Sequence, residues 1–166
     1  MNKIALTVMT AVLAACASTM PPTFVFDNSR QFSLSKRDVW DQLVGQFAMR
    51  NIPIDTIEYD SGLISASTGI GLFFADVQAP VIRDYYVCET NPMFVPTSTM
   101  ATFSVQVVAD EEQLTTVTIN LGITQPGYIT LNRAPVVGTC SSTGFIETEW
   151  LNLIGSATLT DVEDSN

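Results

Sequence analysis

The sequence contains no histidine and few basic residues. It has 7 Lys and Arg residues against 17 Asp and Glu residues, and its formal net charge is −10. Nucleic acids bind proteins mainly through Lys and Arg that neutralise phosphates, so this charge balance excludes nucleic-acid binding. The lack of imidazole excludes His-dependent metal sites and hydrolase triads. Apolar residues make up 46% of the chain, enough to form the core of one folded domain.

The sequence also lacks an apolar run long enough to span a membrane. Lys3 precedes a short apolar stretch, Ile4 to Val12, and Pro21 and Pro22 follow soon afterwards. A membrane-spanning helix needs about 20 apolar residues, whereas a charged start followed by a short apolar stretch is typical of a secretory signal. We therefore expect the chain to be exported.

The residues Leu13-Ala14-Ala15-Cys16 resemble the bacterial lipobox, in which the cysteine is acylated and becomes the new N-terminus. This resemblance implies a signal peptide over residues 1–15, lipidation at Cys16 and a tether over residues 16–22. Ala17, rather than Asp, follows the cysteine, which implies the periplasmic face of the outer membrane of a Gram-negative bacterium. The alternative is an ordinary signal peptide with an incidental cysteine.

Two further cysteines, Cys88 and Cys140, lie in the exported part of the chain. An oxidising compartment favours a disulfide between them, and closing a loop of about 50 residues restricts the unfolded chain by roughly 4 kcal/mol. Two free buried thiols are the alternative.

The hydrophobic pattern predicts two helices and about five strands. Ser35 and Asp38 form a capping box, and an apolar stripe from Val39 to Phe47 predicts a helix that Pro53 ends. A second helix is predicted from Phe145 onwards, capped by the run from Cys140 to Gly144. The predicted strands are Thr23–Phe26 with Gln31–Leu34, a hairpin of Ile54–Tyr59 and Leu63–Ser67, then Asp84–Glu89, 101–107, 116–121 and Tyr128–Leu131.

This order predicts a single α+β domain over residues 23–158, with both helices on one face of an antiparallel sheet, and an acidic disordered tail over residues 159–166. The run from Val39-Trp40 through Asp60-Ser61-Gly62 resembles the helix-grip domain of BamC-like periplasmic lipoproteins. The Cys140–Gly144 segment, paired with Cys88 upstream, is also similar to exported lipoproteins of this layout. BamC itself has a long N-terminal arm and two such domains, unlike this chain.

The sequence predicts no catalytic residue, no metal site and no cofactor. Glu58 and Asp60 share a strand face but lack the spacing of a calcium loop. Ser35 near Lys36 is better explained as a helix cap than as an activated nucleophile.

Apolar residues supply the candidate ligand or partner surface: Phe73, Phe74, Phe94 and Trp150. We expect a non-enzymatic, lipid-anchored periplasmic protein that binds another protein of the cell envelope in an accessory or assembly role. The alternative is a protein that binds a small apolar ligand or lipid in a groove between the sheet and the C-terminal helix.

Overall fold

The computed structural model describes residues 20–70, 85–89, 91–110 and 114–155, which form one antiparallel sheet of eight strands with two helices. The expected α+β domain with about five strands is therefore wrong, because most of the described structure is sheet. In chain order the elements are β1 (Ser29–Phe32), α1 (Lys36–Met49), β2 (Ile54–Glu58), β3 (Leu63–Gly69), β4 (Tyr86–Cys88), β5 (Phe94–Pro96), β6 (Met100–Ala109), β7 (Thr115–Ile129), β8 (Pro135–Ser142) and α2 (Phe145–Leu153).

The long strand β7 lies at the centre of the sheet. The strand order is β2-β3-β6-β7-β8-β4, and β1 and β5 also pair with β7. Along one edge of β7, β1 covers Thr115 to Thr118 and β8 covers Ile123 to Tyr128. The other edge is paired with β6 and then with β5. Every described strand except β2, β3 and β4 therefore pairs with β7.

The sequence pattern divided β7 into two strands at Pro126-Gly127, and this division is wrong. The Pro126 carbonyl accepts a hydrogen bond of 2.9 Å from the Thr97 amide, so the chain remains paired at the proline. At Gly127 a side chain would lie 2.3 Å from the Val95 carbonyl oxygen. Glycine therefore allows the close approach of β5, and the predicted strand Tyr128–Leu131 is the end of β7 and the turn after it.

Two strands, β5 and β8, do not appear in the sequence-based expectation. The run from Cys140 to Gly144 predicted side-chain caps, yet Cys140 to Ser142 extend as part of β8. The N-cap of α2 is Gly144, with φ of 87° and no side-chain capping bond. Short hydroxyl side chains suit both strand edges and caps, which is why this pattern alone did not distinguish them.

The first helix follows the sequence closely. The Ser35 hydroxyl oxygen accepts a hydrogen bond of 3.2 Å from the Asp38 amide, and the hydroxyl donates to the Asp38 carboxylate at 2.6 Å. This confirms Ser35 as the N-cap, while Asp38 reaches back to the Ser35 hydroxyl and not to its backbone amide as a capping box requires. The predicted hairpin is also present as β2 and β3, joined through the Asp60-Ser61-Gly62 turn.

The core lies between the two helices and one face of the sheet. The Trp150 ring on α2 stacks on Phe103 of β6 at 5.0 Å, and Phe47 on α1 contacts both rings. All three side chains are fully buried. Because these rings touch one another, they hold both helices against the same face of the sheet. Aromatic clusters of this kind contribute stability beyond their buried area.

A disulfide joins Cys88 and Cys140, as the sequence predicts. The two residues lie directly opposite each other in the β4–β8 ladder. Since β4 has only three residues, the covalent link supplements a short set of ladder hydrogen bonds. The disulfide therefore fixes the edge strand β4 to β8.

Candidate binding surfaces

The structure describes two of the four predicted surface residues, Phe94 and Trp150. Phe73, Phe74 and the predicted lipidation site Cys16 lie outside the described residues. Trp150 is only 1% exposed, so it belongs to the core and not to a surface. Phe94 is half-buried, and its ring lies against the backbone of Gly127 and Gly138. Of the two predicted surface residues that the structure describes, Phe94 and Trp150, only Phe94 lies near a surface that a partner could contact.

The end of the sheet beside Phe94 presents exposed apolar side chains. Leu131 in the β7–β8 turn is 84% exposed and Val137 on β8 is 60% exposed. Val136 and Met93 are also exposed, and the Met93 carbonyl accepts a 2.8 Å bond from the Thr130 amide. Leu131 and Val137 are more exposed than most large apolar residues in folded proteins. We call this end of the sheet, with both of its faces, the β8 tip; its members are Met93, Leu131, Val136 and Val137.

The β8 tip includes an open strand edge. β4 pairs with β8 only from Cys140 to Ser142, and the Glu89 amide adds one bond of 3.1 Å to the Thr139 carbonyl. Beyond Thr139, the outer edge of β8 from Pro135 to Gly138 pairs with no strand of the described ranges. Among the described residues, about four positions of β8 thus have no strand on their outer side; Pro135, Val136 and Val137 are exposed and Gly138 is buried.

The hydrogen-bond pattern shows which backbone groups face that open edge. The Pro126 carbonyl points to Thr97, away from β8, so the opposed pair Pro126 and Val137 is a non-hydrogen-bonded pair. In an antiparallel ladder the backbone groups of such a residue point to its other neighbour. The amide and carbonyl of Val137 therefore both face the open side of β8.

The opposite edge of the sheet is protected in a different way. Strand β2 carries Asp55 and Glu58, and its pairing shifts in register between Ile54 and Thr56. Charged side chains and such irregularities discourage the addition of another strand. Strand β8 has no charged residue between Pro135 and Ser142. The β2 edge thus carries charged side chains that oppose strand addition, whereas β8 itself carries no charged side chain.

A second surface feature is an open groove at the start of α2. It has a volume of about 470 Å³ and is lined by Phe26, Phe145, Glu149 and Asn152, among others. The Phe26 ring lies on Gly144, where a side chain would be 2.2 Å from the ring. This contact fixes the N-terminal segment before β1 against the start of α2.

Next to this groove lies the buried carboxyl group of Glu147. The residue is 1% exposed, and its carboxylate accepts a 2.8 Å hydrogen bond from the Ser142 hydroxyl. Burial raises the pKa of the Glu147 carboxyl, while hydrogen bonds from its own amide, from Ser142 and from the Leu121 amide oppose that rise. The sequence gives no signal for the burial of this glutamate.

Glu147 occupies an interruption in the sheet. β1 pairs with β7 as far as Thr118, and β8 pairs with β7 from Ile123 onwards. Leu121 lies between these two regions, and its backbone lowers the pKa of the Glu147 carboxyl. Glu147 therefore lies near the part of β7 that neither β1 nor β8 pairs with.

The residues considered for chemistry have structural partners. The Ser35 hydroxyl serves the α1 cap, and the Lys36 ammonium donates a 3.1 Å bond to the Asp60 carbonyl. Lys36 also lies 5.0 Å above the Tyr59 ring. Within the described ranges, no group of three or more His, Cys, Asp or Glu side chains is placed to hold a metal ion.

Among the residues that the structure describes, no helix has the length and apolar character needed to cross a membrane. No protein-family model matches this chain. No curated protein matches it at a significant level either.

Proposed function

We propose that this chain is a lipid-anchored protein of the bacterial cell envelope that binds another envelope protein through the β8 tip. The observation that supports this proposal is the pair of exposed side chains Leu131 and Val137 beside an open, uncharged strand edge. Apolar side chains grouped at one surface are typical of partner-binding sites. Covering each of them contributes roughly 1 to 2 kcal/mol to association.

The anchor and the β8 tip act together in this proposal. The lipobox around Cys16 supplies the lipid anchor, and Phe26 is fixed against Gly144. About ten residues separate Cys16 from Phe26, which span at most about 35 Å when fully extended. Acylation would therefore hold the domain within this distance of the membrane. Partners of the β8 tip would be proteins in or next to that membrane.

The alternative function, binding of an apolar ligand between the sheet and α2, finds less support. Trp150, Phe103 and Phe47 are buried in mutual contact in that region. The protein's own side chains thus fill the space in which a ligand groove was expected. The groove beside Phe26 lies at the start of α2 and opens to solvent.

Chemical crosslinking in intact cells tests the proposal. We expect the wild-type chain to give a discrete adduct with one envelope protein, and a variant with Leu131→Ser and Val137→Thr to lose it. The matched control is Met49→Ser with Val108→Thr, since Met49 and Val108 are exposed apolar residues elsewhere. An adduct that survives the β8 tip variant, or that both variants lose equally, would contradict the proposed surface.

A further inference from the structure

The open edge of β8 defines how a partner could bind. Val137 directs its amide and carbonyl to this edge, and Val136 and Val137 project their side chains to opposite faces of the strand. A globular surface could cover these side chains but would leave the backbone groups unpaired. An extended segment could cover the side chains and also bond to the backbone.

Strand β4 shows where such a segment would lie, because β4 pairs with the outer side of β8 from Cys140 to Ser142. β4 ends at Cys88, and Glu89 still donates its amide to Thr139. A strand added beside Pro135 to Gly138 would continue the line of β4 along the same edge. The available edge accommodates about four residues, or roughly 13 Å of extended chain.

The extended segment could belong to a second copy of this chain or to another protein, and charge distinguishes these two sources. A second copy of this chain would bring together two molecules that each carry a net charge of −10, which opposes association through this short edge. Glu89 also lies at the end of β4, next to the open edge. A basic residue beside Glu89 is favoured by that carboxylate and by the acidic charge of the whole chain. Arg133, over the Tyr128 ring near Pro135, supplies a positive charge at the other end of the edge.

We propose that the β8 edge from Pro135 to Gly138 binds an extended, apolar and basic segment of a partner protein as an added β-strand. This inference rests on the proposed function, and it specifies that backbone hydrogen bonds to Val137 contribute to the affinity. Specificity then comes from apolar side chains over Val136 and Val137 and from a basic residue beside Glu89.

The test uses the full acylated chain in detergent micelles and a defined peptide, acetyl-Lys-Thr-Val-Thr-Val-Thr-Lys-amide. A matched peptide carries N-methyl groups on its three central residues, which removes backbone donors and keeps the side chains. We expect the first peptide to slow hydrogen exchange at the Val137 amide at least tenfold and to bind about ten times more tightly than its methylated analogue. Equal affinity for the two peptides, or no slowing at Val137 at millimolar peptide, would overturn strand addition.

Three variants extend the test. Val137→Pro removes the outward amide without removing a bond to β7, so the tighter binding of the unmethylated peptide should disappear. Val137→Thr keeps the amide and should retain that difference in affinity. Glu89→Lys should weaken binding of the basic peptide several-fold. Unchanged binding to Val137→Pro at an unchanged melting temperature would contradict the proposal. A Val137 amide that is already protected in a dimer of the chain would show that a second copy occupies the edge, which also overturns it.

The outcomes separate the two proposals. If the peptide effect is absent but the crosslinked adduct in cells still depends on Leu131 and Val137, then strand addition is wrong and partner binding at the β8 tip stands. If the adduct is independent of both residues, then the proposed function is wrong as well.

Discussion

The Glu147 carboxylate and the Ser142 hydroxyl are 2.8 Å apart, and this hydrogen bond connects the first turn of α2 to the last residue of β8. The Ser142 hydroxyl oxygen also accepts a 3.1 Å bond from the Gly144 amide. These two contacts join the start of α2 to the end of β8 at one buried point. The position of α2 on the sheet depends on this polar group as well as on the aromatic core.

Replacing Glu147 should therefore destabilise the domain. Glu147→Ala leaves the Ser142 hydroxyl without its buried acceptor, and we expect it to lower the free energy of unfolding by about 1 to 3 kcal/mol. Glu147→Gln retains one acceptor and should cost less. Urea denaturation measures both, with the exposed Glu58→Ala as a control that should change stability by less than about 0.5 kcal/mol. Equal effects of Glu147→Ala and Glu58→Ala would contradict this role.

The buried carboxyl should also give the domain a characteristic pH dependence. Burial raises the pKa of Glu147 in the folded state, so the folded chain holds this proton more tightly than the unfolded chain does. The contribution of Glu147 to the free energy of unfolding should therefore fall as the pH rises from the unfolded pKa to the folded pKa, and then level off.

Urea denaturation from about pH 4 to pH 8 compares wild type with Glu147→Gln, which lacks this titration. The stability of wild type relative to the variant should decrease as the pH rises. A relative stability that increases with pH would show that the hydrogen bonds outweigh burial.

Two glycines should respond to alanine with opposite signs. Gly144 has φ of 87° and its ideal side-chain position lies 2.2 Å from the Phe26 ring, so Gly144→Ala should lower stability by about 2 to 4 kcal/mol. Gly45 lies within α1 with no atom within 4 Å of that position, so Gly45→Ala should raise stability by about 0.5 to 1 kcal/mol. Thermal unfolding measures both changes. A neutral Gly144→Ala would contradict the close contact with Phe26.

The disulfide should contribute a large part of the stability. Replacing both Cys88 and Cys140 with alanine should lower the free energy of unfolding by roughly 3 to 4 kcal/mol, because the unfolded chain gains conformational freedom. Chemical denaturation of the double variant gives this value. A thiol assay of the denatured, unreduced wild-type chain should detect neither cysteine as a free thiol, and detection of both would contradict the assigned pairing.

Cys16 provides the test of the anchor. Cys16→Ser should abolish palmitate labelling and release the chain from the membrane fraction, because no other residue of the lipobox can be acylated in this way. Cell fractionation and labelling measure the two effects. Continued labelling of the variant would overturn the assignment.

The sequence predicted the elements whose signals are local. Ser35 caps α1 by accepting a bond from Asp38 within one turn, and the spacing from Val39 to Phe47 identifies the buried face of α1. Strands β6 and β7 alternate over many residues, so their central parts were also predictable. In each case the residues that determine the structure lie close together in the chain.

The features that were missed depend on distant partners. Pro126 remains in β7 because Thr97 bonds to it, and the hydroxyl-rich end of β8 is a strand because β7 and β4 flank it. The buried Glu147 on α2 bonds to Ser142, which belongs to a different element, β8. The open edge at Val137 likewise follows from where β4 ends. A single sequence does not show which distant residues pair with one another.

A photocrosslinking residue placed at Val137 and, separately, at Ile57 tests the central claim most directly. Both positions are exposed, but Val137 lies at the uncharged edge and Ile57 at the edge guarded by Asp55 and Glu58. Irradiation of intact cells should give one discrete adduct from position 137 and none from position 57, and the Cys16→Ser chain should lose that adduct. Equal adducts from both positions, or an adduct from position 57 alone, would contradict the account.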